Sequence, residues 1–155
     1  MSAEGTERRL AAILFTDIVD STALMARSEE AGLRAKRRHR ELVQGQVASY
    51  RGEFIEAPGD ETLSIFGNAL DAVNCALGIE AAAEGADLKL HIAIHSADVL
   101  VDGNEVHGDG VNIAARLLPL SVGGGICVSS EVYQAIRNHP EIEATSLGEQ
   151  DTSGT

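Results

Sequence analysis

The residues Ala11-Ala12-Ile13-Leu14-Phe15-Thr16 form an apolar run that suits one buried strand and is too short for a helix. The run stops at Asp17. Just beyond it, Asp20 or Ser21 is placed to cap a helix. The sequence predicts a long helical stretch from about Thr22 to Tyr50, with a break near Gly32 and an end at Arg51-Gly52. Phe54-Ile55 and the alternating Thr62-Leu63-Ser64-Ile65-Phe66 flank the turn signal Pro58-Gly59-Asp60, which together predict a β-hairpin. Ala69, Leu70, Val73, Ala76, Leu77 and Ile79 then recur at helical spacing up to about Glu84. Leu88 to Ile94 alternates as a strand, and Val99 to Val101 reads as another, followed by the turn Asp102-Gly103-Asn104. A helix over Val111 to Leu118 stops before Pro119. After the Gly123-Gly124-Gly125 loop come a strand, Ile126-Cys127-Val128, and a short helix through Arg137 capped by Ser129 or Ser130. Ile142 to Leu147 is expected to begin a final strand, and Gln150 to Thr155 is a polar tail. The order β-α-β-β-α-β-β-α-β-α-β predicts an α+β domain, a largely antiparallel sheet covered by helices on one face.

At 155 residues the chain is expected to form one domain and to bury a core without disulfides or metals as staples. With 3% aromatic residues and no Trp, that core must be mostly Ala, Val, Ile and Leu. No apolar run approaches the ~20 residues of a membrane span. Met1 to Leu10 lacks an apolar signal segment, so the chain is expected to be cytoplasmic. Cys75 and Cys127 sit in apolar stretches and read as reduced, structural thiols. A net charge of −12 argues against general affinity for nucleic acid or an anionic membrane. A phosphate-bearing small ligand would need metal ions or local basic groups.

Three places could carry chemistry. Asp17 ends the first strand and Asp60 lies in the hairpin turn. If those strands are neighbours, both carboxylates reach one rim, where Mg²⁺ can bind with one or two carboxylates plus substrate phosphates. The plainer reading is a helix cap and a turn residue. In Gly108-Asp109-Gly110-Val111-Asn112-Ile113-Ala114-Ala115-Arg116, a Gly-rich turn opens a helix on which Asn112 and Arg116 share a face. An amide and a guanidinium suit a ribose and a phosphoryl group; a solvated polar face is the alternative. The run Arg34, Lys36, Arg37, Arg38, Arg40 holds five of the twelve basic residues. It lacks interleaved aromatics and reads as a solvated face or a patch meeting acidic surface on a partner. His95 at a strand end and His107 beside a glycine turn lack partners at zinc spacing.

Phe15-Thr16-Asp17-Ile18-Val19 through Thr22, Gly59-Asp60 before an apolar strand, and Gly108 through Leu117 together resemble the catalytic domain of the class III adenylyl and guanylyl cyclases. Gly124-Gly125-Ile126-Cys127-Val128-Ser129 and Leu147-Gly148-Glu149 fit the same pattern in the same order. The resemblance covers residues 10–149, leaving 1–9 as an N-terminal tail and 150–155 as a polar tail. It implies a ferredoxin-like α/β fold that pairs head to tail as a homodimer, with active sites shared at the interface. The implied reaction converts a nucleoside triphosphate, ATP or GTP, into a 3′,5′-cyclic nucleotide and pyrophosphate. The implied cofactors are two divalent cations, Mg²⁺ or Mn²⁺, at Asp17, Ile18 and Asp60. Asn112 would orient the ribose and Arg116 would stabilise the transition state, both from the opposite subunit.

Two positions matching the base-reading residues give opposing signals. Glu56, four residues before Asp60, is the guanylyl-cyclase choice: a carboxylate accepts from guanine N1–H and the 2-amino group. Glu105, three residues before Gly108, can accept from the adenine 6-amino group but faces guanine O6 acceptor to acceptor. Base rates for stand-alone domains of this kind favour ATP. After Glu149 the family has a strand with a triphosphate-binding Lys, whereas Gln150 to Thr155 contains none. Either the chain is truncated there or the domain lacks that contact, which bears on catalytic rate more than on fold. The departure leaves a second reading, a degenerate cyclase-like domain that binds nucleotide or a regulatory partner with little turnover.

Overall fold

The computed structural model describes residues 6–55, 59–121, 125–139 and 142. Strand β1 spans Thr6–Ile18 and helices α1 and α2 span Ser21–Arg27 and Glu29–Ser49. The hairpin strands β2 and β3 are Glu53–Ile55 and Thr62–Phe66, followed by helix α3, Ala69–Gly85. Strands β4 and β5 are Leu90–Asp102 and Glu105–His107. Helix α4 is Asp109–Leu117, a 3₁₀ turn covers Leu118–Leu120, and β6 and α5 are Ile126–Val128 and Ser130–Ile136.

The sheet order is β2-β3-β1-β4-β5, with β6 also paired to β4. Every pairing is antiparallel except β4 with β6. β1 lies at the centre, and its side chains alternate between two cores as strand geometry requires. Ala12, Leu14 and Ile18 pack with Val43 and Val47 of α2, with α3, and with Val132 and Ile136 of α5. Ala11, Ile13 and Phe15 pack with Ala114 and Leu117 of α4 and with Leu118. The expectation of helices on one face therefore holds for α2, α3 and α5. α4 takes the other face, because its buried positions Gly110, Ala114 and Leu117 form an apolar stripe that needs its own stretch of sheet.

Three local expectations change. The helical break falls at Ser28, not Gly32. Ser28 is extended and its side chain accepts from the Ala31 amide at 3.2 Å, capping α2 with Glu29 and Glu30 in the first turn. Gly32 lies inside α2 against Met25. The two strands expected between residues 88 and 101 are one continuous β4. Ser96, Ala97 and Asp98 interrupt the apolar alternation, but their backbones pair with Ala12, Ala11 and Leu10, and the ladder runs through. The turn at Asp102-Gly103-Asn104 then returns a strand, β5, which carries too little apolar pattern to be read from sequence. Of the expected final strand only residue 142 is described, packed against the core; the rest lies outside the described residues, as does the tail. Cys75 and Cys127 are free and buried, and burial pushes the Cys75 thiol up to about 12. Among the described residues no helix is long and apolar enough to cross a membrane.

Candidate active site

The register of β1 places the first carboxylate. Asp17 is the penultimate residue of the strand and sits opposite His91 of β4. The β1–β3 ladder runs from Ala12↔Phe66 to Thr16↔Thr62. Asp60 and Glu61 precede Thr62, so they come off β3 at the same end of the sheet as Asp17. The electrostatics report this proximity. Burial raises the Asp17 carboxyl, and the Asp60 charge raises it further, against lowering by the Ile18 amide and His91. Glu61 is also raised, first by burial and then by Asp17 and Asp60. The rim thus concentrates three carboxylates that repel one another. Ile18 is buried in the core on the opposite face of β1, while the backbone beyond it continues the ladder through Val19 N–H to the Lys89 carbonyl at 2.9 Å.

A cation already meets this rim. Lys36 Nζ of α2 lies 2.7 Å from Asp60 Oδ1. The basic run therefore does not act as one face. Arg34, which pairs with Glu30 at 3.0 Å, lines a groove with Arg37, Arg38 and Leu88, while Arg40 lies 5.0 Å over the Phe54 ring. One turn beyond Lys36, His39 is buried, with Nε2 2.7 Å from Thr16 Oγ1. Thr16 Oγ1 also bonds Thr62 Oγ1. Lys36, His39, Thr62 and Glu61 are site neighbours that the sequence reading missed. The available signal was the spacing Lys36, His39, Val43, Val47, which places one charged and one imidazole side chain on the inward stripe of α2.

α4 carries the second group. Gly108 precedes it at φ +141°, a conformation that excludes ordinary side chains, and Gly110 is packed so closely on Ala97 that a Cβ would lie 2.3 Å from the Ala97 Cβ. With the buried stripe against the sheet, Asn112 and Arg116 both lie exposed on the outer side of α4. Arg116 in the last turn and Asp109 in the first complement the helix dipole. Glu105 opens β5, is exposed, and its carboxylate lies 3.0 Å from His107 Nε2. Glu56 and the Leu147-Gly148-Glu149 motif lie outside the described residues, as do Gly123 and Gly124. His95 is central in β4, not at its end. It is buried with Nδ1 2.9 Å from the hydroxyl of Ser129, which caps α5.

The donor set at the rim fits a hard divalent cation. Among the described residues no three His, Cys, Asp or Glu side chains enclose a metal site by themselves. Mg²⁺ does not need that: it is held by one or two carboxylates, with waters and substrate phosphates completing the shell. Asp17 and Asp60 could supply such carboxylates, and a bound cation would relieve the repulsion that helps raise Asp17.

Comparison with known proteins agrees with this architecture. Residues 5–155 match the family described as the Adenylate and Guanylate cyclase catalytic domain. The chain belongs to that family, and its fold is the cyclase catalytic-domain fold. It is 31% identical to a Rhizobium meliloti (strain 1021) protein named "Putative adenylate cyclase 3", over 96% of this chain and 27% of that protein. The chain thus spans about a quarter of that relative's length. The crystal structure of an adenylate/guanylate cyclase/hydrolase from Silicibacter pomeroyi superposes with a TM-score of 0.88 at 34% identity, covering 97% of this chain and 92% of that one. The adenylyl cyclase CyaB from P. aeruginosa superposes with the same TM-score at 21% identity, over 97% and 90% of the two chains, and supports the fold alone.

Proposed function

We propose that this chain is an active nucleotidyl cyclase that converts ATP or GTP into a 3′,5′-cyclic nucleotide and pyrophosphate as a homodimer with shared sites. Family membership supports the reaction class. The observation that carries the reading is the convergence of Asp17 and Asp60 on one rim, where the Asp60 charge adds to burial in raising the Asp17 carboxyl.

In the proposed reaction the ribose 3′-oxygen bonds to the α-phosphorus while the bond from that phosphorus to the β-phosphate bridging oxygen breaks. The 3′-hydroxyl proton leaves to solvent, and pyrophosphate departs in line. Asp17 and Asp60, with the Ile18 carbonyl, would hold two Mg²⁺ or Mn²⁺ ions. Such ions lower the pKa of the hydroxyl and neutralise the triphosphate. Arg116 of one subunit would stabilise charge growing on the phosphoryl oxygens of substrate held by the other, the main demand of phosphoryl transfer. Asn112 would orient the ribose. The position of Asn112 and Arg116, both exposed on the outer face of α4, supports this division. Glu105 and Glu56 would read the base. As both are acceptors when ionised, neither purine satisfies both, so selectivity between ATP and GTP should be weak.

The test is purified protein with Mn²⁺ or Mg²⁺ and each triphosphate, with products resolved by chromatography. Cyclic nucleotide is expected from both substrates. Asp17→Ala and Asp60→Ala are expected to abolish it while leaving the circular-dichroism spectrum unchanged, because each removes a ligand from a polar rim. Absence of turnover in the unmodified chain, with tight nucleotide binding retained, would favour the regulatory-module reading instead.

A further inference from the structure

Behind the carboxylate rim lies a polar chain of three buried side chains that the cyclase reading does not use. His39, Thr16 and Thr62 are 1%, 0% and 2% exposed. The imidazole Nε2 bonds Thr16 Oγ1 at 2.7 Å, and Thr16 bonds Thr62 across the β1–β3 pair. Three elements, α2, β1 and β3, are therefore joined at one point. That point is one residue from Asp17 and two from Asp60. The same helix face carries Lys36 to Asp60 one turn earlier. Around this chain α2 is packed by apolar residues, Val43 and Val47 among them, and a leucine would fill the place of His39 without any hydrogen-bonding demand. An imidazole there needs a partner, since a buried polar group left unpaired is costly. Thr16 and Thr62 meet that need in one relative position of the two strands, so the bonds fix how β1 and β3 are held where the carboxylates leave them.

We propose that His39 is a positioning residue: through Thr16 and Thr62 it ties α2 to β1 and β3, sets the spacing of the Asp17 and Asp60 carboxylates, and so sets their affinity for a divalent cation. This rests on the reading of the rim as a metal site. Groups behind a metal's ligands hold them in the geometry the ion requires, and their loss weakens binding without removing any ligand. Desolvation by burial keeps the imidazole neutral, at about 4 against an ordinary 6.5, and outweighs the opposing Asp60 charge. A neutral ring can donate or accept at Nε2, which is the role the chain requires.

The experiment titrates Mn²⁺ alone into the 155-residue chain and follows loss of the free-ion signal by electron paramagnetic resonance, with folding checked by circular dichroism. His39→Leu keeps the volume and removes the bond; it should weaken Mn²⁺ binding by about 10- to 100-fold, the range for groups behind metal ligands. Thr16→Val cuts the same chain without changing shape and should act in the same direction. His39→Gln, whose amide can reach the place of Nε2, should recover most of the affinity. Asp17→Asn and Asp60→Asn test the rim itself. If neither changes Mn²⁺ affinity, the metal reading fails, and the positioning role with it. If both abolish binding while His39→Leu and Thr16→Val bind as the unmodified chain does, the rim stands and the positioning role falls. A Gln variant as weak as the Leu variant, or loss of fold in both His39→Leu and Thr16→Val, also overturns it, since packing alone then explains His39.

Discussion

His39 makes folding depend on pH in a window set by one side chain. Its pKa is about 4 in the native state and 6.5 when unfolded. Between those values the unfolded chain binds a proton that the native chain does not, so stability falls as pH drops from above 6.5 towards 4. The difference corresponds to about 3 kcal/mol. Asp17 and Glu61 act with the opposite sign: their raised native pKa values let the folded chain take up protons first, adding stability as pH falls through them. A comparison with His39→Gln removes that background. Urea unfolding at pH 7.5 and pH 4 should show the stability of the unmodified chain dropping by about 3 kcal/mol relative to His39→Gln. A difference independent of pH would contradict a neutral buried imidazole. At this scale the sequence revealed some residues and hid others for a physical reason. Asp17 and Asp60 were legible because strand ends and turns leave marks in an apolar pattern. His39 and Lys36 were not, because they sit inside a basic run that looks like one solvated surface. Rotation of about 100° per residue sends neighbouring side chains of that run to different places, so Lys36 and His39 face inward while Arg34 meets Glu30 on the surface.

The element that matters most to the proposed chemistry is α4. Its pose is set by contact, not by length: nine residues are too few to be stable alone, so packing holds it. The closest point is Gly110 against Ala97, with Ile13 and His95 next nearest. Gly110→Ala would add a methyl group where the neighbouring Cβ is the short, stiff side chain of a central strand. α4 must then move outward, and Asn112 and Arg116 move with it. Overpacking of this kind costs about 1–3 kcal/mol. The expected outcome is a lower melting temperature, together with a fall in kcat larger than any rise in KM, if the displaced groups act at the transition state as proposed. A variant with wild-type stability and kinetics would mean that α4 is not held there. This helix was legible from its glycine start and the Asn112–Arg116 spacing. The helix break at Ser28 was not, because a serine cap and an interior glycine give competing signals, and the side-chain bond to Ala31 decides between them. The length of β4 was also hidden. Backbone pairing with β1 carries the strand through Ser96–Asp98, where side-chain polarity suggested an interruption.

At the scale of the whole molecule, the proposed catalytic residues fall into two groups carried by different elements. Asp17 and Asp60 stand on the rim at the end of β1 and β3, whereas Asn112 and Arg116 lie on the outward face of α4. In the proposed homodimer with shared sites, Asp17 and Asp60 would come from one copy and Asn112 and Arg116 from the other. Each dimer then has two such sites, related by symmetry. On that reading Asp17→Ala would disable the metal half of both sites in its own homodimer, and Arg116→Ala the transition-state half. When the two inactive proteins are mixed in equal amounts and allowed to exchange, half of the dimers are mixed. Each mixed dimer has one site with both defects and one site with none. The mixture should therefore recover about a quarter of wild-type specific activity. Recovery should grow with exchange time and vanish if the variants are covalently tethered as homodimers before mixing. Subunit exchange is verified independently by energy transfer between labelled chains. Full exchange with no regained activity would show that each chain builds its site from its own residues, and would remove the reason for placing Asn112 and Arg116 on an outward face.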